Sequence, residues 1–398
     1  MLPAMHRWAV LGIAITLAAC ATDPSASAAP SASAATSASG PPPSQSQPAD
    51  FYYPAADVVA RTRPGDLIDA VEILAPAGQR AWRVVYGSTG LDGTPVAVSG
   101  VIVAPGEPAG AGGYPIVAWA HGTTGVADEC APSRGGTDGI PLDLVDQGYV
   151  VTATDYEGLG TDGIHPYLVG VSAGRSVLDS IRAAQDLPEV GAATSAVVIG
   201  LSQGGHAALW AAELAPSYAP ELDLLGVMAG SPPTDLLAFE QWVFGEAAQG
   251  RLDPARAPLL LFGVWNDVYG LPLDFLTDEG RAAALHGRES CFLSDVHSTP
   301  YLTDPAQLPD WSQRLTENSP GRTRTDIPML VVSPLDDQSV QYDTQVAGIA
   351  AMCALGDTIE LQSVSGGHDA SFQSASARMA ITDWIADRFA GVAPISTC

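Results

Sequence analysis

The residues Gly200-Leu201-Ser202-Gln203-Gly204 set a serine between two glycines, after the β-branched run Val197-Val198-Ile199 and before the helix-forming run Ala207 to Leu214. A serine on a sharp strand-to-helix turn projects its hydroxyl above a sheet, and glycines flank it because a side chain there would collide with the adjoining strand and helix. Ser202 is therefore the candidate nucleophile, with Gly200 and Gly204 shaping its turn. The pentapeptide alone can arise by chance among 41 glycines, so the strand and helix around it carry the reading. A serine hydroxyl needs a base, and the base needs an acid to fix its tautomer. The last third of the chain supplies both types. Ser365-Gly366-Gly367-His368 puts a histidine on a glycine-rich loop, and Ser333-Pro334-Leu335-Asp336-Asp337-Gln338-Ser339-Val340 holds two aspartates. Loops of this kind usually carry a small apolar residue three positions after the acid; Val340 has that offset from Asp337, so Asp337 leads and Asp336 is the alternative. Ser202, Asp337 and His368 could together run nucleophilic acyl transfer, with His368 as general base.

Such side chains meet only if several elements deliver them to one edge of a sheet. Ala70 to Leu74, Ala81 to Tyr86 and Pro95 to Val103 read as strands, the last two separated by the turn Leu91-Asp92-Gly93-Thr94, which predicts an antiparallel start. From Tyr114 onward apolar strands alternate with amphipathic helices, which predicts parallel strands joined by crossovers. Strands are expected at Tyr114–Ala120, Gly148–Tyr156, Val197–Ile199, Leu222–Val227, Met329–Val332 and Thr358–Leu361, with a helix from Val171 to Leu187. Ligand sites in open α/β sheets lie at the carboxyl ends of such strands. There the chain places His121-Gly122-Thr123-Thr124-Gly125, a loop able to give one backbone N–H of an oxyanion hole; Thr123 or Thr124 is the donor, and the N–H of Gln203 the second. Asp155-Tyr156-Glu157 at the next strand end reads as a polar turn rather than an acid/base pair. Residues 232–327 interrupt the alternation with many aromatics and no βα rhythm, which fits a helical cap over the serine; most of those aromatics would form the cap's own core. His286 and His297, inside it, read as surface or packing residues.

Composition narrows the partners. The chain has 398 residues and a formal charge of −27, and all 17 of its basic residues are arginine. The absence of lysine excludes Schiff-base and P-loop lysine chemistry. The acidity disfavours nucleic acid and anionic headgroups. Residues 1–20 carry His6 and Arg7, an apolar run from Trp8 to Ala18, and Leu17-Ala18-Ala19-Cys20, the pattern of a bacterial lipoprotein signal with Cys20 as the lipid-bearing residue. Residues 21–50 are mostly Ala, Ser, Pro and Thr and read as a disordered tether, spanning roughly 30 Å root-mean-square. The folded domain is then 51–398, exported and anchored to a membrane only through Cys20, or secreted if that cysteine is not lipidated. Cys130, Cys291, Cys353 and Cys398 are even in number, which in an exported chain suggests two disulfides with three pairings open. No CxxC spacing occurs, and neither a metal site nor a cofactor is expected.

Phe51-Tyr52, Trp119-Ala120-His121-Gly122-Thr123-Thr124-Gly125, Cys130-Ala131-Pro132-Ser133, Asp155-Tyr156-Glu157-Gly158-Leu159-Gly160 and Gly200-Leu201-Ser202-Gln203-Gly204-Gly205-His206 together resemble the secretory lipase family, which includes fungal lipase A enzymes and many actinobacterial lipases. The resemblance covers about residues 51 to 398. It implies an α/β-hydrolase fold with a mostly parallel sheet, antiparallel N-terminal strands and a helical cap inserted before the acid-bearing strand. It also implies a triad of Ser202, Asp337 and His368, the disulfides Cys130–Cys291 and Cys353–Cys398, and hydrolysis of acylglycerols or other apolar esters. The step from Asp337 to Cys353 fits the family's spacing better than one from Asp336. Acyl transfer by the same triad, and a non-catalytic lipid-binding lipoprotein on the same scaffold, are the competing functions.

Overall fold

A computed structural model describes residues 49–291 and 294–398. The expected signal, Cys20 and residues 21–48 of the expected tether lie outside the described residues.

Three antiparallel strands open the chain: β1 (Leu67–Ile73), β2 (Gln79–Thr89) and β3 (Pro95–Pro105). The β2–β3 turn forms where Asp92 accepts the Thr94 N–H at 2.9 Å and Gly93 takes a positive φ of 85°. Then come β4 (Tyr114–Ala120), β5 (Val150–Thr154), β6 (Ala192–Leu201), β7 (Asp223–Gly230), β8 (Met329–Pro334) and β9 (Ile359–Val364). Among the described residues they make one nine-stranded sheet in the order β1-β2-β3-β5-β4-β6-β7-β8-β9. The ladders are parallel from β5 through β9, and β3 joins β5 antiparallel.

The helices are α1 (Ala56–Val59), α2 (Leu142–Asp146), α3 (Gly170–Gln185), α4 (Gln203–Tyr218), α5 (Leu236–Ala248), α6 (Arg256–Tyr269), α7 (Asp278–Gly287), α8 (Pro309–Asn318), α9 (Tyr342–Leu355), α10 (Ala370–Gln373) and α11 (Ala375–Phe389). Side chains alternate across each strand, so β4 splits between two cores. Ile116, Ala118 and Ala120 meet Val177, Ile181 and Leu209 of α3 and α4. Val117 and Trp119 share the opposite core with Leu144, Ile381 and Trp384 of α2 and α11. This is the α/β-hydrolase architecture.

Helices α5 to α8 lie between β7 and β8 and have a core of their own, containing Phe239, Phe262, Trp265, Phe275, Tyr301 and Trp311. Phe262 packs edge-on against Trp311 at 5.1 Å and Phe275 at 5.0 Å between ring centroids. Glu240 sits in this core fully buried, with neither carboxyl oxygen hydrogen-bonded; burial raises its pKa well above the usual carboxylate range, and nearby Asp304 adds to the effect. His286 and His297 are both exposed. Among the described residues no helix is long and apolar enough to cross a membrane.

The structure corrects several boundaries. A 3-10 helix spans Ala49–Tyr52. The strand expected over Gly148–Tyr156 stops at Thr154, because Tyr156 takes φ 73°, incompatible with continuing the ladder. The strand expected at Leu222–Val227 runs instead from Asp223 to Gly230. Helices α9 and α11 fill stretches with no sequence expectation.

Two disulfides are present, Cys130–Cys291 and Cys353–Cys398. The second ties α9 to the chain end, where the Thr397 N–H donates to Ile359 O at 2.8 Å beside β9. Its loop has a sequence separation of 45, so chain entropy predicts that Cys353→Ser with Cys398→Ser costs about 4 kcal/mol of unfolding free energy. Urea denaturation checks this; an unchanged midpoint contradicts it.

Candidate active site

Ser202 is the single residue between β6 and α4, with φ 82° and ψ −107°. A non-glycine residue in such a conformation costs on the order of 1–3 kcal/mol and persists only where its surroundings enforce it. Here the Ser202 N–H donates to Gly230 O at 2.8 Å, and Ser202 O accepts the His206 N–H at 2.9 Å. The glycines have no slack. A Cβ on Gly200 would overlap the carbonyl of Gly204, and one on Gly204 would overlap the carbonyl of Ala120.

His368 Nε2 stands 2.9 Å from Ser202 Oγ, and its Nδ1 stands 2.8 Å from Asp337 Oδ2 and 3.1 Å from Oδ1. An ionised carboxylate only accepts, so Nδ1–H donates to Asp337 and Nε2 is left to accept the serine proton. Asp337 is buried. Its Oδ1 accepts the N–H groups of Ser339 and Val340 at 2.9 Å each, and its Oδ2 accepts from Gln345 Nε2 at 3.1 Å. Asp336 is exposed and faces elsewhere: its N–H donates to Gly366 O at 3.1 Å and its Oδ2 accepts the Gly366 N–H at 3.2 Å. One aspartate thus meets the imidazole, and its neighbour pins the loop that carries the imidazole.

Sequence reasoning missed several supports, because each is a meeting of distant segments. Gln345, fully buried on α9, also donates to Val340 O at 2.7 Å, joining the Asp337 loop to the helix after it. Ser231 Oγ donates to His368 O at 2.6 Å and holds that residue's backbone. Tyr156 OH donates to His121 O at 2.8 Å, fixing the end of β4. Asp155, read from sequence as part of a polar turn, is buried and binds Ser99 Oγ at 2.6 Å and the Ser133 N–H at 2.9 Å.

The loop after β4 borders the serine: a Cβ on Gly122 would lie 3.9 Å from Ser202 Cβ. Thr123 and Thr124 follow on that loop. Thr123 Oγ1 shares a 2.7 Å hydrogen bond with Tyr167 OH, while the Thr124 hydroxyl is buried without a partner. The Gln203 N–H opens α4, where first-turn N–H groups have no intrahelical acceptor. The Gln203 side chain is drawn away, its Nε2 lying 3.0 Å from His165 Nε2. Among the described residues, no group of three or more His, Cys, Asp or Glu is gathered to hold a metal ion.

His165 and His206 are fully buried, and burial lowers each pKa from 6.5 to about 4. Both stay neutral in the fold while the unfolded chain protonates them near 6.5. Stability therefore falls as pH drops from 6.5 to about 4, by up to about 3 kcal/mol per histidine. His206→Gln should flatten this slope in urea titrations at a series of pH values; an unchanged slope counts against it.

The profile of the family described as "Secretory lipase" matches residues 140–260, which include Ser202 but neither Asp337 nor His368. Lipase 6 of Candida albicans is 26% identical over 90% of this chain and 84% of its own. A Mycobacterium tuberculosis protein named as a probable inactive lipase is 26% identical, covering 86% of this chain and 81% of its own. Among solved structures, Candida antarctica lipase A in its closed state superposes with a TM-score of 0.71 at 19% identity, over 90% of this chain and 89% of that one. The chain is thus similar in sequence to secretory lipases and shares the α/β-hydrolase fold of lipase A.

Proposed function

We propose that this protein is an exported serine carboxylic-ester hydrolase, a lipase or esterase acting on acylglycerols or other apolar esters. The observation that carries the reading is the unbroken line from Ser202 Oγ through His368 to Asp337, with both hydrogen bonds already at 2.8–2.9 Å. Ser202 Oγ attacks the ester carbonyl carbon as His368 Nε2 takes its proton, and Asp337 holds the imidazolium in place. The oxyanion of the tetrahedral intermediate accepts the N–H of Gln203 and of Thr123 or Thr124; each such donor is worth roughly 100- to 1,000-fold in turnover. Collapse breaks the C–O bond, and the alcohol leaves with the proton from His368. Water then attacks the acyl-serine with His368 again as base, releasing the carboxylic acid and restoring Ser202.

The named inactive relative makes the presence of all three groups the point to test. Ser202→Ala should lower hydrolysis of p-nitrophenyl butyrate by about 10⁴-fold or more, and Asp337→Asn by about 10⁴-fold. Asp336→Asn, which removes only a loop contact, should cost less than about tenfold. Retained activity in Ser202→Ala sinks the assignment, and a larger loss in Asp336→Asn than in Asp337→Asn reverses the choice of acid.

The relation to secretory lipases supports export, and the Leu17-Ala18-Ala19-Cys20 run supports anchoring through a lipid on Cys20. Radiolabelled palmitate should enter the protein in a bacterial host and be lost in Cys20→Ala. Label persisting in that variant places the acyl group elsewhere.

A further inference from the structure

The backbone N–H groups proposed for the oxyanion sit far apart in sequence, on Thr123 or Thr124 after β4 and on Gln203 at the start of α4. Such donors act together only if their separation is held fixed. Both parts of the site are tied to one short segment, His165-Pro166-Tyr167. Gln203 Nε2 lies 3.0 Å from His165 Nε2, and Thr123 Oγ1 shares a 2.7 Å hydrogen bond with Tyr167 OH.

The other ring nitrogen sets the direction of the first bond. His165 Nδ1 lies 2.9 Å from Glu157 O, and a carbonyl only accepts, so Nδ1 carries the hydrogen and Nε2 accepts from the Gln203 amide. Burial lowers the His165 pKa to about 4, which keeps that acceptor free of a proton at neutral pH. The segment itself has little freedom. All three residues are buried, and the Pro166 ring fixes its own φ. The Tyr167 N–H donates to His165 O at 2.8 Å, and the Val169 N–H donates to Pro166 O at 3.0 Å. From the cap, Trp265 Nε1–H donates to Tyr167 O at 2.9 Å. The segment is thus anchored to the turn after β5 through Glu157 and to α6 through Trp265.

We propose that His165 and Tyr167 are positioning residues for ester hydrolysis: one holds Gln203, the other holds the loop of Thr123 and Thr124, and the stiff link between them sets the spacing of the two N–H donors. This inference rests on the hydrolase reading. Neither side chain needs to touch substrate. Loss of either bond lets one donor drift, which weakens the grip on the oxyanion more than the grip on the uncharged ester. The cost therefore falls on kcat and not on KM.

The test measures kcat and KM for p-nitrophenyl butyrate, with active enzyme counted by titrating Ser202 with a fluorophosphonate so that misfolded protein is excluded. Tyr167→Phe and Gln203→Met each cut one of the two bonds with little change in volume. A misplacement of about 1 Å can cost roughly 100-fold, so loosening one donor should lower kcat about tenfold in each, with KM kept within about twofold. His165→Leu should match Gln203→Met, which reads the same bond should His165→Leu fail to fold. His165→Gln, which restores an acceptor near the place of Nε2, should bring kcat back to within about threefold of the unsubstituted enzyme. Thr123→Val should cost as much as Tyr167→Phe, and the double variant no more than either alone, because both remove the same bond. An unchanged kcat in Tyr167→Phe or in Gln203→Met, a loss confined to KM, or losses that multiply in the double variant overturns the proposal. Ser202→Ala is assayed alongside. Absence of Ser202-dependent hydrolysis refutes the hydrolase reading and this inference with it, whereas Ser202-dependent hydrolysis indifferent to these substitutions refutes this inference alone.

Discussion

The site depends on a backbone contact that leaves no room for a methyl group. Gly204, in the first turn of α4, lies against the carbonyl of Ala120 at the end of β4, and Gly200 lies against the carbonyl of Gly204. Because β4 and β6 are neighbouring parallel strands, this contact fixes how steeply α4 leaves the sheet. It thereby sets the positive φ of Ser202 and the direction of its hydroxyl. Ala120 also immediately precedes the loop His121 to Thr124, so one close approach positions both the proposed nucleophile and the proposed oxyanion donors. Any Cβ at Gly204 must displace the end of β4, and the loop His121 to Thr124 would move with it.

A second tier of contacts brings the proposed base, His368, and the proposed acid, Asp337, to that fixed point. Ser231 ends the β7 segment and grips the His368 carbonyl, Asp336 clasps the Gly366 backbone, and Gln345 joins the Asp337 carboxylate to α9. None of these needs to touch substrate. Each limits the freedom of a loop residue whose two hydrogen bonds must point in opposite directions, and rigid support of that kind is what distinguishes an aligned triad from three residues that are merely close. Burial holds His165 and His206 neutral.

The parts of this arrangement legible in the sequence are those carried by short-range spacing. Ser202 shows itself through its glycines and flanking elements, His368 through a glycine-rich loop after an apolar strand, and Asp337 through the offset to Val340. Gln345 gives no such signal, since a glutamine in a helix is ordinary until its helix is packed beneath a particular loop. The same holds for Tyr156 and Asp155: their roles appear only when the end of β5 is set beside β3 and β4. Helix α9, rich in alanine, is nearly as apolar on one side as on the other, so periodicity has little to detect. The cap shows the converse. Its aromatics announce a buried cluster, yet only the tertiary structure divides them into a packed core and whatever surface faces an ester.

The disulfide Cys130–Cys291 gives that cap a third covalent attachment. Besides entering from β7 and leaving into β8, the cap is stitched at Cys291 to the segment following the loop His121 to Thr124, with Gly125 pressed against Cys130 Sγ and the Cys291 backbone. An insertion fastened at three points cannot swing as a unit on a single hinge. A protease cut anywhere from 131 to 290 would leave the two halves of the chain joined until the bond is reduced.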